Sequence, residues 1–140
     1  MRKSSIAVSL LLMTATVSAG PVLHIDVFYG ANQYVVNQKQ GHNIATVEVF
    51  DLTLPSQLEE SLSKNLPSDP KKAQKEAQRR VIAGGHKLQR ALGTAYAGTL
   101  RAAEYRIAKL PAVVFNYGDD VIYGVNDVSH AIKLYREKKR

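Results

Sequence analysis

Cysteine is missing from all 140 residues, and so is tryptophan. Without cysteine the chain forms no disulfide, offers no thiolate nucleophile and cannot build a zinc site of the kinds that use cysteine. Its stability has to come from packing. Long apolar runs are equally scarce. Past residue 17 no stretch approaches the roughly 20 residues that a membrane-spanning helix requires. Acidic residues are outnumbered, 12 against 19 lysines and arginines, for a formal charge of +7. That balance permits an anionic partner without demanding one.

Familiar catalytic signatures are also lacking. No phosphate-binding loop, dinucleotide fingerprint or Gly-x-Ser-x-Gly elbow occurs. His24, His42, His86 and His130 are far apart, with no i, i+4 pair, so no ligand spacing supports a metal site with Asp26, Asp119 or Asp120. Asp119 and Asp120 are expected as turn residues. Glu59 and Glu60, adjacent on a helix, point about 100° apart and do not form a catalytic pair. We expect no catalytic residue, no cofactor and no metal.

What is present begins with a targeting signal. Arg2 and Lys3 precede an apolar stretch over residues 6–17, and Val17-Ser18-Ala19 offers small residues for cleavage. The expected secretory signal peptide covers residues 1–19, leaving one domain over residues 20–140 with a net charge of +5 once Arg2 and Lys3 are gone. The expected location is the periplasm.

The remainder alternates between two periodicities. Residues 22–29 and 45–52 alternate as strands, with a polar loop over 31–43 interrupted only by Tyr34-Val35-Val36. Thr53 and Pro55 open a short helix carrying Leu58 and Leu62, which Pro67 stops. Asp69 and Pro70 are the cap and first position of a long helix. Its apolar stripe is expected at Ala73, Ala77, Val81, Gly84, Leu88, Leu92, Ala95, Thr99, Ala103, Ile107 and Leu110, with a break at Gly84-Gly85. Lys72, Lys75, Arg79, His86, Arg90 and Arg101 form a basic stripe opposite. Glu76 and Glu104 dilute it, and no aromatic residue interleaves to stack on bases. Lys109-Leu110-Pro111-Ala112-Val113-Val114-Phe115 and Val121-Ile122-Tyr123-Gly124 make a hairpin, and Asn126 or Asp127 caps a last helix with Val128, Ala131, Ile132 and Tyr135 inward.

Strand, crossover helix, proline-led strand, hairpin partner and closing helix together resemble the thioredoxin-like fold: an α/β domain with a long helical crossover between its second and third strands. The resemblance implies a cis peptide bond at Leu110-Pro111, facing the loop after the first strand. In that loop thioredoxins carry Cys-x-x-Cys; this chain has Tyr29-Gly30-Ala31-Asn32-Gln33. Thiol–disulfide exchange is impossible, and the scaffold is expected to bind.

A closer resemblance is to a family of exported, thioredoxin-like proteins encoded in integrating conjugative elements. Ile25-Asp26-Val27-Phe28, Leu66-Pro67-Ser68-Asp69-Pro70, residues 109–115 and 121–124, and Asp127-Val128 carry it, over nearly all of the chain past the signal. A Thr/Ser-rich turn is expected after the first strand in such relatives, and this chain departs from it. The resemblance implies a non-enzymatic periplasmic accessory of a conjugative, type IV secretion-like apparatus, whose partners are other proteins of that apparatus. Tyr29, Asn32, Tyr34 and Tyr117 are the candidate contact residues, tyrosine being enriched at interfaces. The competing expectation is a DNA-contacting module using Lys72, Lys75, Arg79, Arg90 and Arg101.

Overall fold

The computed structural model describes residues 23–140, so the expected signal peptide lies outside the described residues. The chain runs through β1 (Leu23–Tyr29), α1 (Gln38–His42), β2 (Ala45–Asp51), α2 (Leu54–Ser63), α3 (Pro70–Glu104), β3 (Ala112–Phe115), β4 (Asp120–Tyr123) and α4 (Val128–Lys138). Four strands form one sheet in the order β2-β1-β3-β4. β1 is parallel to β2, Ile25 opposite Val47, and antiparallel to β3, Val27 opposite Val113; β3 and β4 close the hairpin. This is a mixed α/β fold with a thioredoxin-like arrangement, and α3 is the long crossover between β2 and β3.

β1 is paired along both edges, and its two faces are covered by α4 and α3. Ile25 and Val27 join Val47, Val113, Phe115, Val128 and Ile132 beneath α4. Phe28 faces the other way and packs with Ala102, Ala112 and Val114, flanked by Phe50 and Tyr105. Phe28 stacks on Phe50 at 5.1 Å and meets Tyr105 edge-on at 6.1 Å.

The helix starts follow the local chemistry. Asp69 accepts the Lys72 N–H at 2.8 Å ahead of Pro70, and Asp127 accepts the His130 N–H at 3.1 Å. Thr53 precedes α2 without capping it through its side chain; its hydroxyl donates to Asp51 instead. Three expectations need correction. The polar loop holds α1, a five-residue helix whose Gly41 is buried beneath Val47 and Val128. Asp120 is the buried first residue of β4, held by Lys138 and by Lys139 at 2.9 Å. The apolar stripe of α3 is only partly covered: Ala95 is buried and Ala73, Ala77, Gly84 and Leu88 are half-buried, but Val81, Leu92, Thr99 and Ala103 are exposed. The other buried positions, Gly98 and Ala102, lie off the stripe, and Ile107 and Leu110 fall beyond the helix, which ends at Glu104.

The reason is a break in helical phase. Gly85 has φ 44° and ψ −138°, outside helical geometry, and a Cβ there would be strained. The two halves of α3 therefore present unrelated faces. The first half packs on α2, where Arg80 donates to the carbonyls of Leu62 (2.9 Å) and Lys64 (2.7 Å). The second half lies on the sheet. At Gly98 a Cβ would sit 3.0 Å from that of Phe50, so glycine sets how closely this half approaches β2.

Candidate functional site

Two regions attract attention, at opposite ends of β1. At its start, the alternation of β1 turns His24 and Asp26 toward α3. Asp26 is fully buried, and its carboxylate accepts from His24 Nε2 at 3.0 Å, from the Tyr105 hydroxyl at 2.8 Å and from Arg101 Nη1 at 3.3 Å. Arg101 also lies 3.9 Å from Glu48, the register partner of Asp26 on β2, and its guanidinium stands 5.6 Å over the Phe50 ring. Three donors on one buried carboxylate supply what burial takes away.

The surroundings tune the donors. Burial, then the hydrogen bond and charge of Asp26, push the Tyr105 phenol up to about 12, against the opposing influence of Arg101. Burial pulls Arg101 down, but its bonds to Tyr105 and Asp26 outweigh this, and its pKa is raised. The Tyr117 ring stacks on His24, centroids 4.2 Å apart and 10° from parallel, while the His24 N–H donates to Asn116 at 3.3 Å. Among the described residues no serine or threonine hydrogen-bonds to the His24 ring. What the cluster does is join the end of α3, the start of β1 and the turn at Asn116–Gly118.

The second region is the far end of β1. There the turn after Tyr29 is closed on itself: Gln33 N–H donates to the Gly30 carbonyl at 3.2 Å, and Gly30 N–H donates to the Gln33 side-chain oxygen at 2.8 Å. Asn32 takes φ 59° in this turn. A Cβ on Gly30 would lie 3.1 Å from Leu110 Cδ1, so the turn abuts the proline-led strand, whose Leu110-Pro111 bond is cis. Tyr34 is 69% exposed, its carbonyl held by Asn126 at 2.9 Å, and Leu110 and Tyr123 are partly open.

The tyrosines thus separate. Tyr29 is half-buried; burial and the neighbouring Asp51 raise its pKa, and it belongs to the frame. Asn32 and Tyr34 stand with Leu110 and Tyr123 on one rim. Tyr117, also 69% exposed, stands at the opposite end beside His24. Sequence reasoning missed the Asp26 cluster and gave Leu110 only a structural part, beside the cis proline. The alternation of β1 already placed His24 and Asp26 on one face; that this face is covered by α3 had no local signal.

The basic stripe does not form one surface. Arg79 is clamped by Glu76 (2.7 and 2.8 Å), whose carboxyl is lowered to about 2 by its hydrogen bonds to Arg79 and Arg80. Arg101 turns inward to Asp26. The bend at Gly85 takes Arg90 out of line with Lys72 and Lys75. Among the described residues no cluster of three or more histidines and carboxylates is placed to hold a metal ion, and no helix is long and apolar enough to cross a membrane.

No curated protein and no solved structure matches the chain. A family model, described as "Protein of unknown function (DUF1525)", matches residues 26–140, from the buried Asp26 to the last residue, and the chain belongs to that family.

Proposed function

We propose that the protein is a non-enzymatic periplasmic accessory of a conjugative, type IV secretion-like DNA-transfer apparatus, acting by protein–protein contact through the rim formed by Asn32, Tyr34, Leu110 and Tyr123. The setting rests on the resemblance of the sequence to proteins of integrating conjugative elements and on its signal-like first 19 residues. One observation carries the mode of action. Where the thioredoxin-like scaffold keeps reactive cysteines beside its proline, this chain keeps a self-bonded turn flanked by open tyrosine and leucine. Such a rim offers rigid aromatic and apolar area and no reacting atom.

The test is transfer frequency in donor cells carrying Tyr34→Ala with Leu110→Asp. With the variant exported at normal level, transfer is expected to fall roughly tenfold or more, as losing about 1.4 kcal/mol of contact energy would cause. Tyr117→Ala, at the other end of the sheet, serves as the control. Normal transfer with the double variant would sink the proposal. Binding to DNA by the residual cations, Lys72 and Lys75 with Lys71, is the competing reading. A steep salt dependence of single-stranded DNA binding would favour it, and no binding at low salt would end it.

A further inference from the structure

The second half of α3 buries one side against the sheet, has α2 along a neighbouring edge where the Tyr96 hydroxyl donates to Glu59 at 2.8 Å, and leaves the remaining side open. Leu92, Gly93, Ala97, Leu100 and Ala103 fall together on that open side at about 100° per residue, with Tyr96 at its α2 edge. Leu100 is 70% exposed, Tyr96 38% and Leu92 36%. The one charged residue between Leu92 and Ala103 is Arg101, which turns away to Asp26. An uncharged apolar strip on a chain of formal charge +7 is a place where two copies can meet without charge repulsion.

The strip is also complementary to itself. At about 1.5 Å per residue, Leu100 lies about 4.5 Å to one side of Ala97 and Gly93 about 6 Å to the other. A two-fold axis through Ala97, with the helices antiparallel, lays Leu100 of each copy over Gly93 of the other. A Cβ on Gly93 would meet nothing within 4 Å, so there is room for the leucine. The same operation brings Glu104 against Arg90, each about 10.5 Å from the axis. Neither residue takes part in an ion pair among the described residues. A lipid surface fits less well, because anionic headgroups want cations along both flanks, and from Ala91 to Thr99 there are none. We propose that this face joins two copies of the chain across an antiparallel two-fold contact centred on Ala97.

The absence of native cysteine makes the test clean. Ala97→Cys is expected to give a disulfide-linked dimer on mild oxidation, whereas Ala83→Cys, exposed but on the other half of α3, should not. In sedimentation equilibrium the parent chain should show a concentration-dependent dimer. Leu100→Asp should weaken it at least tenfold while leaving the circular dichroism and melting curve unchanged, since that side chain is mostly exposed. Arg90→Glu should also weaken it, and adding Glu104→Arg should restore it. A monomer up to the solubility limit would overturn the proposal, as would a dimer indifferent to Leu100→Asp. A monomer that floats with phosphatidylglycerol vesicles, and loses them with Leu100→Asp, would assign the face to lipid instead.

Discussion

At the scale of single residues the centre of the molecule is Asp26. A bare carboxylate buried in an α/β core would be untenable, and three donors from β1 and α3 make it stable. Tyr105 turns this into a measurable pH dependence. Its folded pKa, about 12, stands above the ordinary tyrosine value near 10, so folding favours the neutral phenol. That contribution is complete below pH 10 and disappears as pH climbs from 10 to 12. Chemical denaturation across this range should show a falling stability in the parent that is shallower in Tyr105→Phe. The variant should also start lower at neutral pH by about 1–3 kcal/mol, because a buried acceptor loses a donor. An alkaline limb of equal slope in both proteins would contradict the assignment.

Among the elements, α3 departs most from its periodicity. The glycine pair announced a break, and the break falls at Gly85. The stripe from Ala73 to Leu110 failed as a prediction of burial because it was extended through that break and because the sheet covers only the region around Ala95 and Ala102. Gly98 fixes the contact. Gly98→Val would drive a branched side chain into Phe50 and Leu52, whose atoms are already 3.0 and 3.1 Å from the site of a Cβ. We expect a loss of about 1–3 kcal/mol, read as a lowered denaturation midpoint. Gly93→Ala, in open space, should leave the midpoint of the isolated chain nearly where it was. The strands and helix caps were legible because their signals are local: alternation at β1 and β2, Asp69 with Pro70, Asp127 ahead of Val128. The helix α1 was not, since four polar residues and a glycine have no apolar period and its one buried residue, Gly41, is recognisable only beneath Val128.

The whole molecule has its buried residues concentrated on the sheet. No residue of α2 is buried, and in α3 none before Ala95. Hydrogen exchange should therefore find strong protection in β1 and β3, and much earlier exchange in α2 and in residues 70–84. Uniform protection along α3 would show the helical arm to be as cooperative as the sheet. At this scale the sequence also reached its boundary for the site. It placed the turn after Tyr29 beside the proline-led strand through the fold it resembles. It could not tell that Tyr117 lies at the opposite end, because that depends on the antiparallel register of Ile25 with Phe115.

That register also sets a timetable. Asp26 finds Arg101 and Tyr105 75 and 79 residues later, and His24 finds Asn116 92 residues later. β1, first of the described elements, has β3 as a sheet neighbour and is closed over by α3, both from far along the chain. For a chain delivered N-terminus first, whether from a ribosome or through a pore, the core cannot close until residue 115 has arrived. Until then one edge of β1 lacks its β3 partner, and even α2 and α3, which can pack on each other, have no completed sheet to settle on.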